Sequence, residues 1–275
     1  MEITILDRLT TLGHAQRMAV FRLLVRRYPD AVPAGELAVA LDIKPSTLSV
    51  YLAALKRVGL ITQTRHGTSL RYCAEIAAVE QVMDYMLRDC CRGRGEMCWP
   101  LSEASASGTN SKPKQKRNAL FICTGNSTRS IFAEDLLRRE AGDRFEAYSA
   151  GTHTGSVLNP FAIALLQSKG HDTDLLRAKS IAEFQAPDAP EIDFVFTVCD
   201  QAANEECPFW PGQPISAHWG LPDPVKATGT DAEKQRAFLQ AYEQLQNRIR
   251  AFAALPFDTL DRVSLQARVD EINKI

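Results

Sequence analysis

The cysteine and the arginine of the segment CTGNSTRS, residues 123–130, have a spacing that suits nucleophilic chemistry on an oxyanion. The apolar run NALFIC predicts a strand before the loop, and SIFAEDLLRREAG predicts an amphipathic helix after it. A loop that leads from a strand into a helix N-terminus can turn its backbone N–H groups inward and hold a tetrahedral oxyanion. The predicted cradle consists of Thr124, Gly125, Asn126, Ser127, Thr128 and Arg129.

Cys123 is the predicted nucleophile of this loop. The helix dipole and the cation of Arg129 are expected to lower the pKa of the thiol, so that it reacts as a thiolate. Arg129 can hold two oxygens of the oxyanion at once, and Ser130 is placed to hydrogen-bond the sulfur. The alternative is a buried cysteine that ends a core strand, because a cysteine and an arginine at this spacing also recur by chance.

Two reactions fit such a loop, namely phosphate-ester hydrolysis and arsenate reduction. Hydrolysis needs the nucleophile, the arginine and a general acid, whereas reduction also needs two electrons and therefore further thiols. The segment VCDQAANEECP supplies Cys199 and Cys207, and HWGLPDP supplies Asp223. A loop carboxyl before a proline can protonate a leaving oxygen.

These segments, together with YSAGT, resemble the thioredoxin-coupled arsenate reductases built on the low-molecular-weight tyrosine phosphatase fold. The resemblance runs from residue 118 to the C-terminus and implies an α/β domain with a four-stranded parallel sheet, flavodoxin-like and of the phosphotyrosine-phosphatase-I type. It also implies that arsenate becomes arsenite through a relay from Cys123 to Cys199 to Cys207. Asp223 then serves as the acid, and thioredoxin as the reductant.

The same resemblance implies a monovalent cation near Asn126, Glu134 and Ser149. Two other functions stay open for this half, a low-molecular-weight protein phosphatase and a non-enzymatic oxyanion sensor. The segment DPVKAT has no aromatic residue after its Asp-Pro, which argues against a phosphotyrosine substrate.

Before residue 100 the apolar pattern is that of short helices followed by a hairpin. Helices are predicted in HAQRMAVFRLLVRRYP, with Met18, Phe21 and Val25 on one face, in PAGELAVAL, and from Ser46 to Val58. LITQTRHGTSLRYC predicts two strands around a turn.

This order of elements is typical of a winged helix-turn-helix, whose third helix enters the major groove of DNA. The candidate DNA contacts are Ser46, Thr47, Ser49 and Val50 on the helix and Arg65, His66 and Arg71 on the hairpin. The alternative is a small helical bundle with no role in DNA binding.

Three cysteines follow the last helix of this half, in the segment DCCRGRGEMC. Thiolates select soft ions, and three of them without a fourth donor suit pyramidal As(III) or Sb(III) better than tetrahedral Zn(II). Two glycines let Cys98 fold back onto Cys90 and Cys91. The alternative is a set of incidental thiols at a frayed helix end. Cys73, in the second hairpin strand, is expected to be small and buried.

Residues 8–98 resemble the ArsR/SmtB family of metal-responsive repressors, on the segments LGHAQRMAVFRLL, AGELAVAL, PSTLSVYLAALKRVGLI and RHGTSLRY. The resemblance implies a homodimer that pairs through the helix carrying Ile76, Val79, Met83 and Met86. It also implies binding to palindromic operator DNA until an inducer arrives, and the cysteine cluster makes As(III) the expected inducer.

The stretch PLSEASASGTNSKPKQKRN has almost no large apolar residue, which predicts a flexible linker. The expected domains are therefore a DNA-binding domain over 1–99, a linker over 100–117 and a reductase domain over 118–275. Residues 1–99 carry 13 Lys and Arg against 10 Asp and Glu, whereas residues 119–275 carry 15 against 22. No long apolar run or signal peptide is evident, and seven cysteines in uneven clusters suit reduced thiols. A cytoplasmic location is expected.

Overall fold

A computed structural model of the 275-residue chain describes residues 2–90, 116–153, 155–205, 210 and 213–275. The chain divides into two compact units, residues 1–114 and 115–275. All but the last two residues of the predicted linker lie outside the described residues, so the domain boundaries stay a prediction.

The N-terminal unit has the element order of a winged helix-turn-helix, as predicted. Its helices are α1 (Glu2–Leu12), α2 (Ala15–Arg26), α3 (Ala34–Ala40), α4 (Pro45–Arg57) and α5 (Ile76–Tyr85), the last continuing as a π-helical turn over Met86–Cys90. Its strands are β1 (Val32–Pro33), β2 (Ile61–His66) and β3 (Ser69–Ala74), antiparallel in the order β1-β3-β2. The hairpin of β2 and β3 turns at Gly67, whose φ of +60° suits glycine.

Two local expectations for this unit are wrong. Val25, expected on one apolar face with Met18 and Phe21, is 40% exposed, because α2 turns its Val20, Leu23 and Leu24 side inward. Helix α4 begins at Pro45 rather than Ser46, since proline has no N–H to leave unpaired and its φ already suits a first helical position.

The C-terminal unit is an α/β domain whose four strands are all parallel, as predicted. The strands are β4 (Arg117–Cys123), β5 (Phe145–Gly151), β6 (Phe194–Thr197) and β7 (Ile215–His218), in the order β5-β4-β6-β7. The helices are α6 (Arg129–Ala141), α7 (Pro160–Ser168), α8 (Asp200–Asn204), α9 (Asp231–Ala253) and α10 (Arg262–Ile272).

Strand β4 is the centre of this unit. Its residues from Ala119 to Cys123 are at most 4% exposed, because helices cover both faces of a parallel sheet. An aromatic cluster packs beside it, with the rings of Phe196 and Trp219 stacked 4.1 Å apart. Strand β4 lies between β5 and β6, so the connection after β4 and the connection after β5 run in opposite directions across the sheet. The carboxyl end of β4 is therefore the switch point at which open parallel sheets bind ligands.

Within the described residues, no single helix is both long and apolar enough to cross a membrane. Only the sharply bent pair of α3 and α4 passes that test, and only when its two helices are taken together.

Candidate active site

The loop after β4 is held so that its carbonyl groups face away from its centre. Three of these carbonyls accept hydrogen bonds from the N–H groups of a neighbouring segment: Cys123 O from Thr152 at 3.0 Å, Thr124 O from His153 at 2.9 Å, and Ser127 O from Asn159 at 3.0 Å. With the carbonyls occupied from outside, the N–H groups of the loop are free to line its concave side, as an oxyanion cradle requires.

Two residues make the tight curvature of this loop feasible. Asn126 has a φ of +47°, the left-handed region that asparagine tolerates better than most residues. Gly151, at the end of β5, lies directly beneath the loop. A Cβ atom there would lie 2.9 Å from the carbonyl oxygen of Thr124 and 3.1 Å from the nitrogen of Asn126.

Cys123 ends β4 with its sulfur in the cradle. The Sγ atom accepts a hydrogen bond from the N–H of Asn126 at 3.0 Å and lies 2.9 Å from the hydroxyl oxygen of Ser130. Ser130, the second residue of α6, is fully buried. The structure therefore brings the predicted nucleophile and its predicted hydroxyl partner together.

The expected lowering of the Cys123 pKa is wrong for the protein without a bound anion. Burial raises the pKa of this thiol, and the nearby Cys199 adds to the rise. The hydrogen bonds from Ser130 and Asn126 and the charge of Arg129 lower the pKa, but desolvation outweighs them. The structure therefore gives the opposite direction for this pKa from the one that the sequence predicted.

Behind the loop runs a buried chain of polar groups. The amide nitrogen of Asn126 donates to the hydroxyl oxygens of Ser130 at 2.9 Å and Ser149 at 2.8 Å. Ser149 donates in turn to Glu134, whose side chain is 3% exposed. Because each member is held by its neighbours, this network fixes the loop conformation before any ligand binds.

Lys179 lies where the sequence led us to expect a monovalent cation. Its Nζ atom is 2.8 Å from Oε2 of Glu134, and its backbone N–H donates to the side-chain oxygen of Asn126 at 2.6 Å. Arg138 binds the other oxygen of Glu134 at 2.7 Å. Sequence reasoning missed Lys179, because nothing in its local segment RAKS distinguishes it from a surface lysine.

Arg129 and Asp223 meet at the mouth of the loop. Their side chains approach to 3.1 Å between Nη2 and Oδ2. The guanidinium also donates to the carbonyl of Leu221 at 2.9 Å, so it is oriented from the loop that carries Asp223. Asp223 caps the 3₁₀ turn Pro224–Lys226 by accepting the N–H of Val225 at 3.2 Å. The carboxyl therefore lies beside the predicted cradle.

Cys199 lies at the edge of the same loop. It is 2% exposed, and its sulfur is 3.4 Å from the hydroxyl oxygen of Thr124, the residue next to Cys123. It also caps α8, accepting the N–H of Ala202 at 3.4 Å. The third predicted thiol, Cys207, lies outside the described residues.

A buried histidine supports this second thiol, and sequence reasoning did not single it out. His218 is fully buried at the end of β7, with one ring nitrogen 2.9 Å from the hydroxyl of Thr197 and the other 3.1 Å from the carboxylate of Asp200. Asp200 is the residue after Cys199. The histidine therefore ties the start of α8 to the sheet.

In the N-terminal unit, α4 has one buried face and one exposed face, as predicted. Leu48, Leu52 and Leu55 are at most 2% exposed. On the opposite side Ser46, Ser49 and Val50 are exposed and Thr47 is half-buried. On the hairpin, Arg65 and His66 are exposed and Arg71 is half-buried. These placements leave most of the candidate DNA contacts accessible to solvent.

Only part of the predicted cysteine cluster can be placed. Cys90 is exposed at the end of the π-helical turn, and Cys91 and Cys98 lie outside the described residues. Cys73 is half-buried rather than buried, with its thiol donating toward the carbonyl of Pro29 at 3.5 Å. The As(III) site therefore stays a prediction.

The parallel sheet, the predicted anion loop at its switch point and the arginine that opens α6 define an α/β domain of the phosphatase-like class. The low molecular weight phosphotyrosine protein phosphatase family matches residues 118–265, and the chain belongs to that family. A helix-turn-helix domain family matches residues 12–64, within the N-terminal unit.

Curated relatives cover the C-terminal unit. An arsenate reductase of Bacillus licheniformis is 36% identical over 139 residues, which are 50% of this chain and 96% of the relative. An arsenate reductase of Halalkalibacterium halodurans is 37% identical over 138 residues, again 50% of this chain and 96% of the relative. Among solved structures, a thioredoxin-dependent arsenate reductase of Corynebacterium glutamicum aligns with a TM-score of 0.38 and 23% identity, covering 79% of this chain and 90% of that one.

Proposed function

We propose that the C-terminal unit reduces arsenate to arsenite and that the N-terminal unit is a transcriptional repressor released by arsenite. The observation that carries the first part is the position of Cys199, buried beside the oxyanion loop and 3.4 Å from Thr124. A phosphate-ester hydrolase has no use for a second thiol there, whereas a reductase needs one. The names of the relatives support the same choice.

The first step forms a sulfur–arsenic bond. Arsenate enters the loop as a dianion that carries one proton, and the Cys123 thiol gives its proton to the carboxylate of Asp223. The thiolate then attacks arsenic while Asp223 passes that proton to the departing oxygen, which already carries the arsenate proton and leaves as water. Arg129 and the N–H groups of the loop balance the charge of the remaining oxygens.

The second step is the reduction itself. Cys199, as thiolate, attacks the sulfur of Cys123, and the electron pair of the sulfur–arsenic bond passes to arsenic. Two thiols thereby become one disulfide while As(V) becomes As(III), and arsenite leaves the loop. The N-terminus of α8 and the partners of Asp200 hold Cys199 in place for this attack.

The third step restores the nucleophile. Cys207 attacks Cys199, which frees Cys123 and leaves a Cys199–Cys207 disulfide. A dithiol protein of the thioredoxin class then reduces that disulfide. The role of Cys207 rests on the resemblance to the thioredoxin-coupled arsenate reductases.

We also propose that the ammonium group of Lys179 takes the place of a bound monovalent cation. Its contact with Glu134 and its link to Asn126 support this. A protein with its own cation under the loop does not need to bind potassium there.

A comparison of two substrates tests the reductase. With thioredoxin, thioredoxin reductase and NADPH, wild type should oxidise NADPH when arsenate is added, and Cys199→Ser should not. A phosphatase would instead hydrolyse p-nitrophenyl phosphate equally well in both forms, and a sensor would do neither.

For the N-terminal unit, the exposed face of α4 and the hairpin support binding to double-stranded operator DNA. The stripe on α5 supports a homodimer, because Met83 and Met86 are 41% and 36% exposed in the single chain. Cys90, Cys91 and Cys98 are the proposed As(III) ligands. A cytoplasmic location stays a prediction.

Operator release tests the link between the two activities. Arsenate with the thioredoxin system should release operator DNA from wild type but not from Cys123→Ser, whereas added arsenite should release both. Equal release of the variant by arsenate would show that the reductase does not feed the repressor.

A further inference from the structure

A second concave site lies in the C-terminal unit, at the opposite end of α6 from the oxyanion loop. It has a volume of about 350 Å³. Its lining includes Arg139 and Glu140 from the last turn of α6, Lys169 and His171 after α7, and Tyr242 and Arg250 from α9. Ten residues of helix separate Arg129 from Arg139, which is about 15 Å along the axis. The pocket is therefore separate from the catalytic loop.

The floor of this pocket is rigid. Tyr242 is 2% exposed, and its hydroxyl lies 2.9 Å from one ring nitrogen of His171. The other ring nitrogen of His171 is bound by the buried carboxylate of Asp135. Leu136 adds an apolar surface beside them. None of these groups is required by the proposed reduction.

The walls of the pocket carry three cationic side chains and one carboxylate. Lys169 holds its ammonium 5.2 Å from the centre of the Tyr242 ring, and no acidic partner approaches it among the residues that the structure describes. Arg139 is oriented by the carbonyls of Lys169 and Gly170, at 3.3 and 3.4 Å. Arg250 lies 3.5 Å from Glu140, the acid that lines the same hollow.

The charge at this pocket opposes that of its surroundings. Three cations face one carboxylate, within a stretch, residues 119–275, that carries 22 acidic against 15 basic residues. Glu140 offsets only one of these charges, so a bound anion would relieve the repulsion that remains among the three cations. Guanidinium groups bind phosphate oxygens in a two-point geometry, and a lysine adds a point charge.

We propose that this pocket is a second anion-binding site that takes the phosphate group of a small organic molecule. The net positive charge of the lining matches a dianionic phosphate, and the volume lies in the range of pockets for small organic ligands. The phosphate lies among Arg139, Lys169 and Arg250. The organic part lies on Leu136 and the Tyr242 floor.

Calorimetric titration of the full chain tests this proposal, with glucose 6-phosphate as the probe. The titration uses an Arg129→Ala background, so that the catalytic loop does not contribute. One site is expected. Adding Lys169→Ala and Arg250→Ala should weaken binding at least tenfold. The matched control adds Lys234→Ala and Arg268→Ala, which remove the same charge elsewhere on the unit, and should leave binding within twofold. Circular dichroism establishes that each variant is folded.

Three results would overturn the proposal. One is the absence of binding heat in the Arg129→Ala background. Another is equal weakening by the pocket variants and the control variants, which would mean general charge attraction. The third is binding of inorganic phosphate or citrate as tight as that of glucose 6-phosphate, which would show that the pocket does not recognise an organic phosphate. The titration does not measure the reductase reaction, so a failure of the proposed pocket can be distinguished from a failure of the proposed reductase.

Discussion

Lys179 and Glu134 form a buried ion pair beneath the oxyanion loop, with 2.8 Å between Nζ and Oε2 and side chains that are 7% and 3% exposed. Glu134 also accepts from Ser149, which binds Asn126, so the pair supports the residue that turns the loop. A buried carboxylate that loses its cation is strongly unfavourable.

Lys179→Met should therefore impair the protein in a way that an added cation relieves. Without Lys179, the buried carboxylate of Glu134 keeps only the partly exposed Arg138 on its other oxygen, so its charge is less well compensated. Arsenate reduction by the variant should have a raised KM at low salt and should recover when potassium chloride replaces choline chloride. Wild type should respond equally to the two salts.

Lys234→Met, which removes a half-buried lysine of α9 that pairs with Asp231, serves as the control for this variant and should behave as wild type. Stimulation of wild type by potassium to the same degree as the variant would contradict the assignment of Lys179 as a resident cation.

Gly151 lets the loop lie close against β5, and its replacement by alanine should displace the loop. A Cβ atom at 2.9 Å from the Thr124 carbonyl meets backbone, which cannot move aside without shifting the cradle. We expect a loss of at least tenfold in kcat/KM, with the domain still folded. Gly35→Ala is the matched control, because a Cβ atom there meets nothing within 4 Å. Normal activity of Gly151→Ala would show that the close approach is dispensable.

The thiol of Cys123 should react slowly with alkylating agents at neutral pH. Burial raises its pKa, so the reactive thiolate forms only above the ordinary range for cysteine. Ser130→Ala removes a hydrogen bond that lowers this pKa and should move the pH profile of alkylation further upward. Mass spectrometry of iodoacetamide-labelled peptides across a pH series measures both profiles. A profile of Ser130→Ala at lower pH than that of wild type would contradict this geometry.

Asp270, on α10, should make the C-terminal unit less stable as pH rises. Burial raises the pKa of this carboxyl to about 6, above its value in an unfolded chain. The folded protein therefore favours the neutral acid. The contribution of this carboxyl to the free energy of unfolding is complete below about pH 4 and is lost as pH rises through about 6. Because the group is half-exposed, solvent screening reduces the effect to roughly 1 kcal/mol.

Asp270→Asn should accordingly match wild type near pH 4 and be more stable by roughly 1 kcal/mol near pH 7.5. Urea unfolding followed by tryptophan fluorescence measures this, since the ring of the buried Trp219 donates to the carbonyl of Val269 beside Asp270. The exposed Asp188→Asn removes a surface carboxylate and should show no such trend with pH. A constant difference between Asp270→Asn and wild type at every pH would contradict the prediction.

Much of the fold could be predicted because local patterns and turn residues agree with it. The apolar run before Cys123 is a core strand, and the periodic segment after Arg129 is a helix. The face of α2 could not be placed from its sequence, because VFRLL offers several overlapping apolar stripes. Tertiary packing selects Val20, Leu23 and Leu24 and leaves Val25 outside.

The candidate site was predicted where a spacing of residues carries the chemistry. Cys123, Ser130 and Arg129 lie within one loop, so their meeting follows from local geometry. Lys179 and His218 could not be predicted in the same way, because their partners lie far away in the sequence. The direction of the Cys123 pKa was missed for a related reason, since desolvation depends on how the whole domain packs around the sulfur.

The relay from Cys123 to Cys199 is tested most directly by trapping its disulfide. Cys207→Ser, reduced and then freed of reductant, is mixed with excess arsenate, and peptides are mapped by mass spectrometry without reduction. The relay predicts one equivalent of arsenite per chain and a peptide pair joined through Cys123 and Cys199. Free thiols at both positions with no arsenite formed would contradict it.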